Sequence, residues 1–281
     1  MPVPSSSTLL LRGGHRWDCA AADAQAVLAY LANPHPDQHK IFSLRGADGQ
    51  TLTVPAREIV GVLDGGQVVA EAPIPPVAAM CKKAELPGSP YLLVDEFLSA
   101  SESAWVLAYA LSQEPSFIDA KVTDSANDYR KAKVLYDLKP IVDLFLPRVR
   151  AMAPEALRTL DLQPVNIKTI ECQLTAHGEG DYFKRHNDNG SKDTAQRYLS
   201  YVYYFNRAPA GFSGGMLRMY ETVVENGFYT MGKTFQDIKP RNNCLVMFPS
   251  HCPHEVTPVS CPSGQFADWR FTVNGWVVRE A

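Results

Sequence analysis

The sequence predicts a mainly β protein with flanking helices, preceded by a small N-terminal α+β region. Three observations lead to this prediction. Beyond residue 160, short strand-like runs recur between Gly, Asn and Pro residues. Two helical segments precede these runs, and a proline-rich passage separates the helices from a mixed segment at the N-terminus. Many short strands in series favour a sandwich or barrel over a parallel sheet of alternating strands and helices.

The predicted α+β region spans residues 1–88, and we expect it to form a domain apart from residues 89–281. The stretch ADAQAVLAYLAN, residues 22–33, has the apolar spacing of a helix, and short β-like runs with Gly-containing turns follow it. Residues 72–90, APIPPVAAMCKKAELPGSP, break this pattern and predict a linker whose CKKAE segment is solvated. The role of this region stays open.

Two helices are predicted after the linker and the strand-like segment YLLVDEF. The first begins with Ser99 as N-cap and has Glu102 three residues later, which is the pattern of a capping box. The second lies in LKPIVDLFLPRVRAMAPEAL, where Pro147 is expected to kink or split the helix. Both helices would cover one face of the β domain.

The remaining elements are predicted strands rich in β-branched and aromatic residues, the types that fit a pleated and half-buried surface. They lie, in chain order, in VNIKTIECQLT, DYFKRH, RYLSYVYYFN, GMLRMYE, KTFQDIKP, NCLVMFP, HEVTPVS and WRFTVNGWVV. The candidate functional residues lie at the ends of these strands or on them.

Charge and composition exclude several classes of partner. The chain has 27 basic and 30 acidic residues, a net charge of -3, so neither nucleic acid nor an anionic membrane is expected as a partner. No apolar run approaches the ~18 residues that a membrane span requires. The N-terminus also lacks the basic segment and long apolar run of a signal peptide, so a soluble, cytoplasmic protein is expected. The six cysteines show no paired framework, which predicts reduced thiols. The sequence leaves the oligomeric state open.

A candidate metal site begins in YFKRHNDNG, residues 182–190, where His186 and Asp188 are two positions apart. Residues i and i+2 of a strand point to the same side, so both side chains could reach one ion. His254, which opens HEVTPVS, is the candidate third ligand. Two imidazoles and one carboxylate leave the open positions that suit non-haem iron(II). The alternative is a solvated polar turn, because NDNG is also a turn signal.

An anion-binding group is predicted on the last strand. Arg270 and Thr272 share one face of RFTVNGWVV, and a buried guanidinium there needs an anion such as the end of a dicarboxylate. Tyr204, in YVYYFN, is a candidate donor to the same anion. The alternatives are a structural ion pair for Arg270 and an ordinary place in the sheet core for Tyr204.

A second metal interpretation concerns HCPH, residues 251–254, with Cys261 nearby. Clustered His and Cys side chains can form a closed tetrahedral zinc site. The sequence favours a loop position for His251 and Cys252 instead, which leaves His254 to the iron site.

Five motifs in order carry a family resemblance: YFKRHND, YVYYFN, SGGMLRMYE, KPRNNCLVMFPSHCPHEVTPV and RFTVNGW. This set, across residues 90–280, resembles the iron(II)/2-oxoglutarate dioxygenases of the prolyl 4-hydroxylase-like branch, which includes the hypoxia-factor and ribosomal-protein prolyl hydroxylases. The resemblance implies a double-stranded β-helix, or jelly roll. It also implies the cofactor iron(II), the cosubstrates 2-oxoglutarate and dioxygen, and ascorbate as a supporting reductant.

The resemblance also assigns residues. It places His186, Asp188 and His254 on iron, Arg270 on the distal carboxylate of 2-oxoglutarate, and Tyr204 in a hydrogen bond to this cosubstrate. The SGG segment matches the family's turn into the next strand. Two features depart from the family pattern: His177 stands where many relatives have a tyrosine, and the interval from His254 to Arg270 is long.

The implied activity is hydroxylation of a peptidyl or protein side chain, with proline as the expected residue and with release of succinate and carbon dioxide. Two alternatives stay open. One is hydroxylation of a free amino acid or small natural product, because substrate choice lies in the loops around the mouth of a barrel. The other is a non-catalytic jelly-roll module that keeps a metal site.

Overall fold

The computed structural model describes residues 6–11, 16–31, 40–46, 48–55, 59–64, 67–71, 81–84, 86–87, 89–120 and 129–280. The chain divides into two compact units, Met1–Pro75 and Pro76–Ala281. Within the described ranges, no helix combines the length and the apolar character that a membrane crossing requires.

The described part of the first unit contains one helix and six strands. They are α1 (Ala21–Leu31), β1 (Ser6–Leu11), β2 (Arg16–Ala20), β3 (Ile41–Arg45), β4 (Thr51–Pro55), β5 (Ile59–Asp64) and β6 (Gln67–Glu71). One antiparallel sheet has the order β2-β1-β5-β6, and β3 and β4 form a hairpin. Leu9, Val27, Phe42 and Ile59 are buried in its core. The helix and the later strands follow the sequence pattern, whereas β1 and β2 were not predicted.

The N-terminal half of the second unit contains the α-helices α2 (Ala100–Ser112) and α3 (Lys139–Thr159). The capping box of α2 is formed as predicted. The Ser99 hydroxyl accepts a hydrogen bond from the Glu102 N–H at 3.2 Å, and the Glu102 carboxylate accepts one from the Ser99 N–H at 2.9 Å. Both groups satisfy N–H donors that the first turn leaves unpaired.

The sequence predicted that Pro147 kinks or splits α3. The split does not occur, since α3 is one continuous helix. Pro147 lies on the exposed face of the helix, so the carbonyl that its missing N–H leaves unpaired faces water. The opposite face buries Ile141, Phe145 and Val149 in the main core. Burial along this face holds the two halves of α3 together.

Fifteen strands complete the described part of the second unit. They are β7 (Cys81–Ala84), β8 (Tyr91–Asp95), β9 (Ile118–Asp119), β10 (Arg130–Lys131), β11 (Lys133–Leu135), β12 (Ile167–His177), β13 (Tyr182–His186), β14 (Arg197–Phe205), β15 (Ser213–Gly214), β16 (Leu217–Glu225), β17 (Phe228–Ile238), β18 (Cys244–Pro249), β19 (His254–Val256), β20 (Val259–Ser260) and β21 (Arg270–Arg279). The eight strands predicted from the sequence beyond residue 160 are all among them.

These strands form two main antiparallel sheets. The larger has the order β7-β8-β18-β14-β21-β12-β11-β9, and the smaller has the order β10-β13-β19-β16-β17; β15 and β20 form a separate pair. The CKKA segment, expected to be part of a solvated linker, is instead strand β7, which pairs with β8. Pairing with the next strand of the chain overrides the weak local pattern of CKKA.

Strand β18 shows how the core is divided. Leu245 and Met247 belong to the apolar cluster that contains the buried faces of α2 and α3, whereas Val246 and Phe248 pack with side chains of the smaller sheet. Alternate residues of a strand point to opposite faces, so one strand serves both layers. Helices on one face and a second sheet on the other give the jelly roll that the resemblance implies.

Candidate metal centre

His186 and His254 face each other across two paired strands. His186 ends β13 and His254 begins β19, and the two residues are direct partners in the antiparallel register. Asp188 does not extend the strand but lies in the turn that follows it, where its N–H donates to the Ser250 carbonyl at 2.9 Å. The structure thus brings together the three residues that the sequence analysis proposed as ligands.

The donor atoms of these three side chains converge. They all lie within 4.8 Å of one another, and the Asp188 carboxylate oxygens are each 3.6 Å from a histidine Nε2, Oδ1 from His186 and Oδ2 from His254. The side chains are only 11%, 9% and 7% exposed for His186, Asp188 and His254. Two imidazoles and one carboxylate in this arrangement are chemically suited to iron(II).

Hydrogen bonds on the far side of each ring aim the imidazoles at the cluster. Nδ1 of His186 lies 2.8 Å from the Lys184 carbonyl, and Nδ1 of His254 lies 2.9 Å from the Cys252 carbonyl. A proton on Nδ1 that is donated to a carbonyl leaves the Nε2 lone pair free for a metal. Phe183 also stacks on the His186 ring, with centroids 3.7 Å apart. Both rings are therefore oriented before any ion binds.

The protonation states also suit a metal site. Burial, reinforced by His254, lowers the pKa of His186 to about 3, so this ring is neutral at neutral pH. Burial would raise the pKa of Asp188, but His254, His186 and a hydrogen bond from the Ser200 hydroxyl hold that pKa below its ordinary value. The Ser200 hydroxyl donates to Asp188 Oδ2 at 2.6 Å. The pair offers a neutral nitrogen and an anionic oxygen.

Arg270 lies at the start of β21 and is 1% exposed. Its Nε donates to the Gly215 carbonyl at 2.8 Å and its Nη1 to His177 Nδ1 at 3.3 Å, while the guanidinium lies 5.1 Å from the Tyr204 ring centre. Among the described residues, no carboxylate pairs with it. A buried guanidinium without an internal anion is suited to an anionic ligand.

Gly215 explains why the SGG segment suits this position. Its φ of +59° is in the left-handed region that favours glycine, and a Cβ there would lie 2.5 Å from Arg270 Cδ. A side chain at position 215 would therefore displace the arginine from its place.

Two buried polar atoms next to Arg270 have no hydrogen-bond partner among the described residues: the Tyr204 hydroxyl and His177 Nε2. Burial raises the pKa of Tyr204 to about 12, so its hydroxyl stays a donor. Burial, with a contribution from Arg270, lowers the pKa of His177 well below its ordinary value, so this ring is neutral. Thr272 lies opposite Tyr204 in the sheet register. Unpaired buried donors are costly unless a ligand accepts them.

One cavity of about 970 Å³ contains both groups of residues, since its lining includes the three converging side chains and Tyr204, Arg270 and Thr272. Carboxylate and imidazole donors fit iron(II), and a guanidinium beside an unpaired phenol fits a dicarboxylate. The residues present therefore fit both iron(II) and 2-oxoglutarate.

The zinc interpretation of HCPH has no support in the geometry. In the described ranges, the group of His, Cys, Asp and Glu side chains close enough to hold a metal consists of His186, Asp188 and His254. His251 stacks on Tyr229 instead, with ring centroids 4.0 Å apart. The two cysteines in question, Cys252 and Cys261, are buried and lie outside that group.

Ser200 and Ser250 were missed by the sequence analysis. Their hydroxyls lie 2.9 Å apart, and Ser200 holds the Asp188 carboxylate. A signal for Ser200 was available, because it shares the period-two face of β14 with Tyr204. Ser250 lies in a turn after β18, and its role follows only from its position beside β14.

Comparisons with known proteins agree with this geometry. The sequence profile of the 2OG-Fe(II) oxygenase superfamily matches residues 172–278. An uncharacterized PKHD-type hydroxylase of Synechocystis sp. is 43% identical over 194 residues, which cover 68% of this chain and 64% of the relative's length.

Among solved structures, a Pseudomonas putida prolyl-4-hydroxylase is similar in fold, with a TM-score of 0.51 and 23% sequence identity. The match covers 68% of this chain and 93% of that one. The family match over residues 172–278 includes the three converging side chains as well as Tyr204, Arg270 and Thr272.

Proposed function

We propose that this chain is an iron(II)- and 2-oxoglutarate-dependent hydroxylase, because residues 172–278 match the 2OG-Fe(II) oxygenase superfamily and the fold is similar to that of a prolyl-4-hydroxylase. The observation that carries the proposal is the convergence of two ligand sets in one cavity. The metal group of three donors lines a cavity of about 970 Å³. The buried Arg270 guanidinium, which pairs with no carboxylate among the described residues, lines the same cavity.

The proposal assigns a task to each residue. His186, Asp188 and His254 hold the iron, which supplies the activation of dioxygen when bound. Arg270 binds the distal carboxylate of 2-oxoglutarate, and the Tyr204 hydroxyl donates to the same cosubstrate. Thr272 lines the cavity beside these two residues. The net reaction consumes dioxygen and 2-oxoglutarate, releases succinate and carbon dioxide, and places one oxygen atom on the substrate.

The surroundings of the site support this assignment through burial. The metal donors are about nine-tenths buried and Arg270 is almost fully buried. Electrostatic attraction between the guanidinium and a carboxylate is stronger in a site with little water, and the phenol of Tyr204 stays protonated there. The cosubstrate is thus bound in one orientation before the substrate arrives.

For the substrate, we propose a peptidyl or protein side chain, with proline as the first candidate. Support comes from the fold likeness to a prolyl-4-hydroxylase and from the motifs in the sequence. A free amino acid or small natural product is the second candidate, because the cavity is large enough for either. A cytoplasmic location is part of the proposal, and it rests on the sequence alone.

The test is a turnover assay with iron(II), ascorbate, dioxygen and 2-oxoglutarate. Succinate release is measured alone, with proline-containing peptides and with a panel of free amino acids, and the products are examined by mass spectrometry for a gain of one oxygen. We expect succinate release that a proline peptide stimulates. Stimulation by small molecules alone would contradict the peptide substrate, and no 2-oxoglutarate turnover under any condition would favour a non-catalytic metal-binding module.

A further inference from the structure

Four arginine side chains line the cavity, and the proposed function accounts for only one of them. They are Arg130, Arg185, Arg197 and Arg270. Arg197 forms an ion pair with Glu171 at 2.6 Å, and Arg270 is assigned to 2-oxoglutarate. Arg130 and Arg185 have no carboxylate partner within the ranges that the structure describes. Two positive charges in the cavity are therefore available to bind an anionic ligand.

Arg130 is the more deeply placed of the two. It lies opposite Phe183 in the register of β10 and β13, and its guanidinium is 4.8 Å from the Phe183 ring centre. Its Nη2 donates to the Thr175 hydroxyl at 3.4 Å, and its Nε is buried with no hydrogen-bond partner among the described residues. A buried N–H of a charged group without an acceptor is costly, and a ligand acceptor would remove that cost.

The wall behind Arg130 is polar and fixed. The Thr175 hydroxyl donates to Asn274 Oδ1 at 2.9 Å, so its oxygen accepts from the Arg130 guanidinium and from Gln173 Nε2. Phe183 holds the other side of Arg130 and stacks on His186. The guanidinium is therefore held next to the metal group, with part of its donor capacity unused.

Arg185 lies on β13, is exposed and also lines the cavity. Its guanidinium contacts Met231 Sδ at 3.3 Å and lies 5.9 Å from the Tyr220 ring centre. Neither neighbour carries a charge. Arg185 thus adds a solvent-facing positive charge at the rim of the cavity.

The charges of the metal, the cosubstrate and their protein ligands show which ligand Arg130 and Arg185 are available to bind. Iron(II) with the Asp188 carboxylate, and 2-oxoglutarate with Arg270, together carry no net charge. The histidines of the metal group bind a metal as neutral imidazoles and add no charge. The positive charges of Arg130 and Arg185 are therefore not needed for the metal or the cosubstrate, and the remaining ligand of this cavity is the substrate.

We propose that the substrate carries a carboxylate, which Arg130 binds inside the cavity and toward which Arg185 steers it from the rim. This inference rests on the proposed function. In a peptide substrate, the carboxylate belongs to an Asp or Glu residue beside the hydroxylated residue. In a small-molecule substrate, it is the molecule's own carboxylate.

The test uses the full chain with iron(II), 2-oxoglutarate and dioxygen, and two proline peptides that differ only by Asp or Asn beside the proline. A parallel pair consists of a free amino acid and its amide. Mass spectrometry gives kcat/KM for each member. We expect the wild type to prefer the acidic member of the pair that it uses, which also identifies the source of the carboxylate.

Arg130→Gln should lower the ratio of acidic to neutral kcat/KM on the order of 10- to 100-fold, because it removes a charge-assisted hydrogen bond in a buried place. Arg130→Lys should restore part of the ratio, since it keeps the charge. Arg158→Gln is the matched control: Arg158 is exposed on α3, pairs with Glu155 and does not line the cavity. It should leave the ratio unchanged.

Arg185→Gln should have a smaller effect on the same ratio, because an exposed charge is screened. Its effect should disappear in roughly 1 M salt, where the screening length is about 3 Å. The effect of Arg130→Gln should persist at that salt concentration.

Three results would overturn the inference: a wild type without preference for the acidic member, an Arg130→Gln variant with the wild-type ratio, or an equal loss on both members. A rise in KM for 2-oxoglutarate as the sole effect would also overturn it by assigning Arg130 to the cosubstrate. If the wild type releases no succinate, the proposed function fails instead. An anaerobic binding titration of the same two peptides then tests Arg130 without turnover.

Discussion

The two faces of the eight-stranded sheet bury different kinds of side chain. On β21, Phe271, Val273 and Val277 belong to the apolar cluster that contains the buried faces of α2 and α3. On the same strand, Arg270 and Thr272 are equally buried but line the cavity. Apolar burial on the first face stabilises the fold, whereas buried polar groups on the second face cost free energy until ligands satisfy them.

Three tyrosines of β14 make the difference plain. The Tyr201 hydroxyl donates to the Glu171 carbonyl at 2.8 Å, and the Tyr203 hydroxyl donates to Asn243 Oδ1 at 3.0 Å. The Tyr204 hydroxyl is buried without a partner among the described residues. All three are the same residue type on one strand, so composition does not separate them. The unsatisfied hydroxyl marks the face where a ligand is needed.

This contrast implies that substitutions on the two faces separate stability from binding. A substitution on the helix face should unfold the protein without changing the affinity of the folded fraction for iron. A substitution on the cavity face should remove binding without unfolding the protein.

Asp188→Ala should have the largest effect. It removes the one anionic donor of the metal group, and we expect loss of stoichiometric iron and a fall in turnover of at least about 100-fold, since even residues behind metal ligands change affinity about 10- to 100-fold. Iron content after anaerobic gel filtration and circular dichroism measure the two properties. Asp143→Ala, on the exposed face of α3, is the control. Near-normal iron content in Asp188→Ala would remove Asp188 from the ligand set.

Phe145→Ala should have the next largest effect, and it should lower the stability of the fold and not the binding of iron. Phe145 is fully buried between α3 and the sheet, and its loss should cost about 3–5 kcal/mol of the free energy of unfolding. Urea denaturation measures this cost, and iron bound per folded molecule should stay normal. If iron affinity fell as well in the folded fraction, the two faces would not be independent.

Arg270→Ala should raise the KM for 2-oxoglutarate on the order of 10- to 100-fold, because a buried charge-assisted hydrogen bond is lost. Iron content should remain normal. The KM of Arg270→Lys for 2-oxoglutarate should lie between the values of the wild type and of Arg270→Ala, since lysine keeps the charge but loses the planar fork of donors. An unchanged KM in Arg270→Ala would point to a different partner for the cosubstrate's carboxylate.

The smallest effect concerns pH and the metal-free protein. Burial lowers the pKa of His177 and of His186 in the folded state, so the unfolded chain binds protons near pH 6.5 that the folded chain does not. The free energy of unfolding should therefore fall as pH decreases below this value, by up to ~1.4 kcal/mol per pH unit for each histidine. Urea midpoints between pH 7.5 and 5.5 measure the slope. His177→Asn should reduce the slope, and an equal slope would show that His177 is not neutral when buried.

Much of the fold could be predicted from local patterns. The capping box at Ser99 and Glu102 depends on residues three positions apart, and the strands beyond residue 160 are set by runs of β-branched and aromatic residues. Pro147 was predicted to kink or split α3, and the split does not occur, because burial of Phe145 and its neighbours on one face of α3 outweighs the loss of one backbone hydrogen bond. Strand β7 was missed because its pairing partner lies outside the segment.

The sequence by itself determined the residue types of the site: a His and an Asp two positions apart, a later His, and an Arg on the last strand, in the order typical of a dioxygenase family. Only the tertiary structure decided that His186 faces His254 across two strands, that Ser200 holds Asp188, and that Arg130 joins the same cavity. Register between distant strands determines these contacts. The structure also shows which buried charges lack a partner, because an ion pair depends on which side chains the fold brings together.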